Sequence, residues 1–171
     1  MLKAITKDEF EEHAKTLFYL RDRWGYSTVA IESAREVNPK TILEVGASAF
    51  GGVELPIFNG CNTLNINANP TYKMSAGDTP WPIESKKYDV LIALQVWEHL
   101  KGQQSKAFSE VNRVCKRAIL SFPLLWSSCP RCDDHYMITR KKIAEWTNFV
   151  QPTSERKITD KETRLVLVFD F

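Results

Sequence analysis

Short apolar runs alternate with stretches of helical period along most of this chain. In the first forty residues Phe10, Ala14, Leu17 and Phe18 recur at helical spacing, which predicts a helix over 7–23 opened by a Thr6/Glu9 capping box. A second helix over 27–37 follows Gly25 and stops before Pro39. Beyond residue 40 the pattern changes to buried strands, predicted at 41–45, 63–66, 90–94, 118–122, 156–158 and 164–169, with a shorter one at 72–75. Helices are expected over 104–115 and 139–149. Between 52 and 59 there is room only for a short helix, interrupted by Pro56 and by Asn59-Gly60. Strands that alternate with helices build a mostly parallel sheet covered on both faces. The expectation is therefore an α/β, Rossmann-like, doubly wound sheet of six or seven strands. One domain spans 1–171, with a helical cap over 1–38 and the core over 40–171.

Composition narrows the class without naming a chemistry. The 171 residues are 43% hydrophobic and 26% charged, ordinary values for one globular domain. A formal charge of +2 and a pI near 8.3 supply no concentrated basic field, so no nucleic-acid partner is expected. No run approaches a membrane span, and the acids of MLKAITKDEFEEH interrupt the apolar stretch a signal peptide needs. A cytoplasmic location follows as the expectation. Cys61, Cys115, Cys129 and Cys132 are too few and too unevenly placed for a disulfide scaffold.

Candidate chemistry begins at TILEVGASAFGG over 41–52, where an apolar run ends in Glu44 and breaks into small residues. A ligand can approach the main chain closely only where Cβ atoms are small or absent. About twenty residues later Asn65-Ile66-Asn67-Ala68-Asn69-Pro70 closes a second apolar run, the distance at which a βαβ unit delivers a group that reads ribose hydroxyls. Gly77-Asp78, then YDVLIALQVWEHL over 88–100 and AILSFP over 118–123, complete the series.

In this order the motifs resemble those of class I S-adenosylmethionine-dependent methyltransferases, and among them the short type-11-like proteins. The resemblance implies an antiparallel last strand. It also implies S-adenosylmethionine as cofactor, held by Glu44, Gly46, Ala47 and Ser48 at the first loop and by Asn67 and Ala68 at the ribose. Asp78 and Thr79 would meet the adenine, Trp81 would wall its ring, and Leu94 and Gln95 would face the sulfonium end. Two departures stand out. Ser48 and Phe50 occupy positions where the family has glycines, and Asn67 stands where it usually has an acid.

Methyl transfer asks mainly for a nucleophile at near-attack distance, with a base when the acceptor is a hydroxyl. His135, in Asp133-Asp134-His135-Tyr136, and His99, in the EHL segment, are the candidate catalytic residues. Cys129, Cys132 and His135 form a single knuckle without the second ligand pair of a zinc finger, and no metal is assigned. The acceptor expected is a hydroxyl or amine of a small molecule or glycan precursor. The alternative is a methyltransferase-like binding module that has lost catalysis, favoured by Ser48, Phe50 and Asn67. A dinucleotide oxidoreductase is disfavoured because Ser48 and Phe50 spoil its fingerprint.

Overall fold

A computed structural model of the chain describes residues 2–14, 23–50, 53–126, 137–159 and 163–171. Its centre is a seven-stranded sheet built from β2 (Ile42–Val45), β6 (Asn62–Asn65), β7 (Tyr72–Lys73), β8 (Tyr88–Leu94), β9 (Cys115–Pro123), β10 (Ser154–Thr159) and β11 (Thr163–Asp170), in the order β10-β11-β9-β8-β2-β6-β7. From β9 to β7 every neighbouring pair is parallel, whereas β11 runs antiparallel to both β9 and β10. The antiparallel last strand is thus as the motifs implied, and the strands number seven.

Alternation of side chains along the strands explains the two layers. Ile42, Val90, Ile92, Ile119, Val166 and Val168 share one face and meet Tyr26, Ala30 and Ala34 of α2 (Trp24–Arg35). Leu43, Val45, Leu91, Ala93, Leu120 and Phe122 point the other way, onto Ala107, Phe108 and Val111 of α3 (Gln104–Val114) and Ile143 and Trp146 of α4 (Arg140–Trp146). Strands apolar on both faces belong in the middle of a covered parallel sheet, which is where β8 and β9 lie. By contrast β10 is a charged edge strand, SERKIT, as edges facing water tend to be.

The cap begins with β1 (Lys3–Ala4) and α1 (Lys7–Ala14). Its capping box forms: Glu9 Oε2 accepts from the Thr6 N–H at 2.7 Å and Thr6 Oγ1 from the Glu9 N–H at 3.2 Å. The remainder of the helix expected over 7–23 falls on 15–22, outside the described residues, and the second helix starts at Trp24 rather than near 27.

One expectation fails. The segment after the first loop forms no short helix but a hairpin, β3 (Ser48–Phe50) with β4 (Val53–Leu55), followed by β5 (Phe58–Asn59), which pairs with β1. The physical reason lies in Glu54. Strand alternation turns its carboxylate toward β6, where it accepts from the Thr63 hydroxyl and, at 3.0 Å, from Asn65 Nδ2.

Among the described residues no helix is long and apolar enough to cross a membrane.

Candidate functional site

The strand order reverses at β2, which sends its successors to opposite sides, β6 to one and β8 to the other. In open α/β sheets such a switch point leaves a crevice outside the carboxyl ends of the strands. A cleft of about 310 Å³ lies there, in the size range of small-molecule sites.

Gly46 forms its floor. The residue has φ +69°, and a Cβ added to it would stand 2.5 Å from Val96 Cγ2, so glycine is required both for the turn and for the close approach of the β8 end. Its N–H donates to the Leu64 carbonyl at 2.9 Å, which fixes the loop on β6. On the β8 side Gln95 adopts φ 57°, rare for a residue with a side chain. It is held there because its N–H donates to Ser121 Oγ at 3.0 Å and its Nε2 to the same oxygen at 3.1 Å. Backbone strain of this kind, over-determined by neighbours, is a frequent mark of a functional site.

Of the ten residues expected to hold the cofactor, Gly46, Ala47, Ser48, Asn67, Leu94 and Gln95 line this cleft. Ala68, at φ 57°, follows Asn67 in the turn beyond β6 but is not part of the lining, and neither are Asp78 and Thr79. Met74, Ser75 and Ala76 form that wall instead. Trp81 is core rather than wall: it is 2% exposed, its N–H donates to Glu110 Oε2 at 2.6 Å and its Nε1 to the Ala76 carbonyl at 3.1 Å.

Glu44 faces the other side of the loop. Its carboxyl is buried, accepts from the Ile57 N–H at 2.8 Å, and borders a small cavity shared with Ile5, Phe10, Tyr26 and Leu55. Burial drives its pKa up to about 8, the Ile57 N–H opposes this, and the nearby Glu54 charge adds to it. At about 30 Å³ the cavity has room for a water or two and not for a nucleoside.

His99 ends the 3-10 turn Trp97–His99, is exposed, and lines the cleft. His135, Cys129 and Cys132 lie outside the described residues. Among the described residues no group of three or more His, Cys, Asp or Glu side chains converges as a metal site would require.

Three contributors escape the sequence pattern. Arg23, just before α2, borders both the cleft and the small cavity, and its Nη1 donates to Ser48 Oγ at 3.2 Å. Asn65, buried, and Glu54, half-buried, form a polar pair beside the loop. The signal available for Asn65 is a polar residue inside an apolar run; for Arg23 there is none.

This architecture is the class I S-adenosylmethionine-dependent methyltransferase fold, with its seven strands and inserted antiparallel strand. Among solved structures, the N-methyltransferase NodS from Bradyrhizobium japonicum superposes with a TM-score of 0.61 at 12% identity, covering 90% of this chain and 97% of that one. Its complex with S-adenosyl-L-homocysteine gives 0.63 at 11% identity, over 89% and 87%. An S-adenosylmethionine-dependent methyltransferase from Methanosarcina mazei gives 0.56 at 12% identity, over 81% and 95%. No protein-family model and no curated protein matches the sequence.

Proposed function

We propose that the protein is an S-adenosylmethionine-dependent methyltransferase whose cofactor occupies the switch-point cleft, and that it serves a hydroxyl or amine of a small-molecule or glycan-type acceptor. The observation that carries this reading is the floor of the cleft at Gly46, where only the absence of a Cβ lets main chain, Val96 and a ligand come together. A similar fold, that of NodS, is known in complex with S-adenosyl-L-homocysteine.

The residues present fit such a group. Ala47 and Ser48 would flank its amino-acid portion, with Arg23 beside them as a charge-assisted partner for the carboxylate. The exposed carboxamide of Asn67 would accept from a ribose hydroxyl, without the added strength of a carboxylate. Met74 offers a polarizable sulfur to the adenine ring. When bound, the cofactor supplies an electrophilic methyl on a sulfonium. The chain then has to orient the acceptor in line with that methyl, exclude water and accept a proton where the acceptor is a hydroxyl. Leu94 and Gln95 would border the reacting end, and His99, which lines the cleft, would take the proton. His135 keeps its candidacy from sequence. The whole chain acts as one domain, and its cytoplasmic setting accords with Cys61 and Cys115, free thiols that burial pushes up to about 12.

The hairpin β3–β4, standing where the loop would otherwise feed a helix, favours a second reading: a binding module of the same fold without turnover. Calorimetric titration with S-adenosylmethionine and S-adenosylhomocysteine, followed by transfer of labelled methyl to small-molecule and glycan acceptors, decides among these. Binding with transfer is expected. Binding without transfer to any acceptor, or absence of heat with either compound at millimolar concentration, removes the first reading and sustains the second.

A further inference from the structure

Asn65 closes β6 and is 6% exposed, and every polar group of its side chain is engaged. Its Nδ2 donates to the Ala47 carbonyl at 2.8 Å and to Glu54 Oε1 at 3.0 Å. Its Oδ1 accepts from the Asn67 N–H at 3.2 Å, and its main-chain carbonyl accepts from the Met74 N–H at 3.0 Å. Ala47, Asn67 and Met74 line the cleft from three segments, those that follow β2, β6 and β7, while Glu54 belongs to the hairpin. One residue therefore joins the first loop, the turn after β6, the wall beyond it and the element that replaces a helix.

We propose that Asn65 is the positioning residue of this cleft, setting the separation between the Ala47 side and the Asn67 side to which a nucleoside cofactor must be matched. The inference rests on the function proposed above for the identity of the ligand. Chemistry at this position is restrictive, because two donors and one acceptor are needed on one planar group, which a carboxamide alone provides at that length. Aspartate keeps the acceptor for Asn67 but loses both donors and sets a second carboxylate against Glu54. A buried network that is complete holds its members in one arrangement, and a broken one releases them. Errors of about 1 Å in such placement are enough to cost a ligand much of its fit.

The test is calorimetric titration with S-adenosylhomocysteine of the wild type, N65D, T63V and the double variant N65D/E54Q. N65D is expected to weaken binding by about tenfold or more, the scale of one lost buried hydrogen-bond pair. T63V removes the Thr63–Glu54 hydrogen bond and the one that Thr63 Oγ1 accepts from the Thr71 N–H at 3.3 Å, leaves the Asn65 contacts in place, and is expected to lower thermal stability while holding affinity within about twofold of wild type. In N65D/E54Q the polarity is reversed, the amide introduced at position 54 donating to the carboxylate introduced at position 65, and part of the affinity is expected to return, the Ala47 carbonyl remaining without its donor. If N65D alone is unfolded at the assay temperature, the double variant carries the test. Equal affinity for N65D and wild type, losses in N65D and T63V in the same proportion to stability, or no recovery in the double variant each overturn the proposal. A wild type that gives no heat sinks the methyltransferase reading instead; amide hydrogen exchange at Asn67 and Met74 then decides, with faster exchange in N65D than in T63V expected and equal rates overturning the inference.

Discussion

Glu44 is a carboxyl shut off from bulk solvent, and the consequences can be worked out with a sign. With a folded pKa near 8 against about 4.5 unfolded, the folded state binds one more proton than the unfolded state between those values. Stability contributed by the protonated form is fully present below pH 4.5 and is lost as pH rises to 8. E44Q, a neutral isostere that still accepts from Ile57, is expected to show no such loss, and at pH 8 to exceed the wild type by a few kcal/mol. Urea midpoints of both proteins from pH 5 to 8 check this; parallel curves would refute it. At Gly46 the expectation is the opposite. G46A forces an L side chain into φ +69° and against Val96 Cγ2, costing about 2 kcal/mol or more and closing the cleft to S-adenosylhomocysteine, as denaturant midpoint and calorimetry would show. Both residues are visible in the sequence because each breaks an apolar run in a way that needs a reason. Asn65 breaks its run in the same way, but its role, like that of Glu54, depends on which strands become neighbours, and no local pattern records that.

Among the elements, the long apolar strands and amphipathic helices declare themselves by period. The strands around 41–45, 90–94 and 118–122 and the helix over 104–114 fall where the pattern puts them, to within a few residues. The hairpin does not. Pro56 and Asn59-Gly60 suit an interrupted helix, but the alternation of Val53, Glu54 and Leu55 after the Gly51-Gly52 dipeptide is equally a hairpin signature, and only tertiary contact with Thr63 and Asn65 settles the competition. Another tertiary tie fixes how two central strands begin. Asp89, at the start of β8, accepts from the Lys40 N–H at 2.9 Å and the Thr41 N–H at 3.1 Å and pairs with Lys116 at 2.8 Å, so it clamps the entries of β2 and β9. Lys116 first, then these N–H groups, hold its carboxyl down at about 2, against the opposing cost of burial. A depressed carboxylate stabilises the fold above its unfolded value near 3.8, and that contribution disappears as pH falls through 2. Discounted for solvent screening, D89N is expected to cost about 1–2 kcal/mol at pH 7 and little near pH 2. Chemical denaturation at the two pH values measures the difference.

At the scale of the molecule, the antiparallel last strand comes from likeness of motifs and not from period, because a buried strand reads the same whichever neighbours it has. The N-terminal cap shows what this arrangement does for the site. β1 pairs with β5, the Ile5 N–H donates to the Ile57 carbonyl at 3.0 Å, and Phe10 packs on Trp24 with ring centroids 5.1 Å apart. Ile5 and Phe10 thereby roof the small cavity onto which Glu44 opens. The cap, far from Glu44 in sequence, thereby adds to the burial that raises the pKa of that carboxyl. F10A removes the roof without touching the sheet. It is expected to cost about 1–3 kcal/mol, below the range for a phenylalanine in a central core because Phe10 sits in a satellite cluster. More tellingly, water admitted to the cavity lets Glu44 ionise at lower pH, so the decline in stability between pH 4.5 and 8 should shrink. Urea midpoints of F10A and F10A/E44Q across that range isolate the effect: the gap between them should be smaller at pH 8 than the gap between wild type and E44Q. Were the two gaps equal, the dryness of Glu44 would have to come from the sheet and hairpin alone, and the cap would be packing with no hold on the loop that bears Gly46.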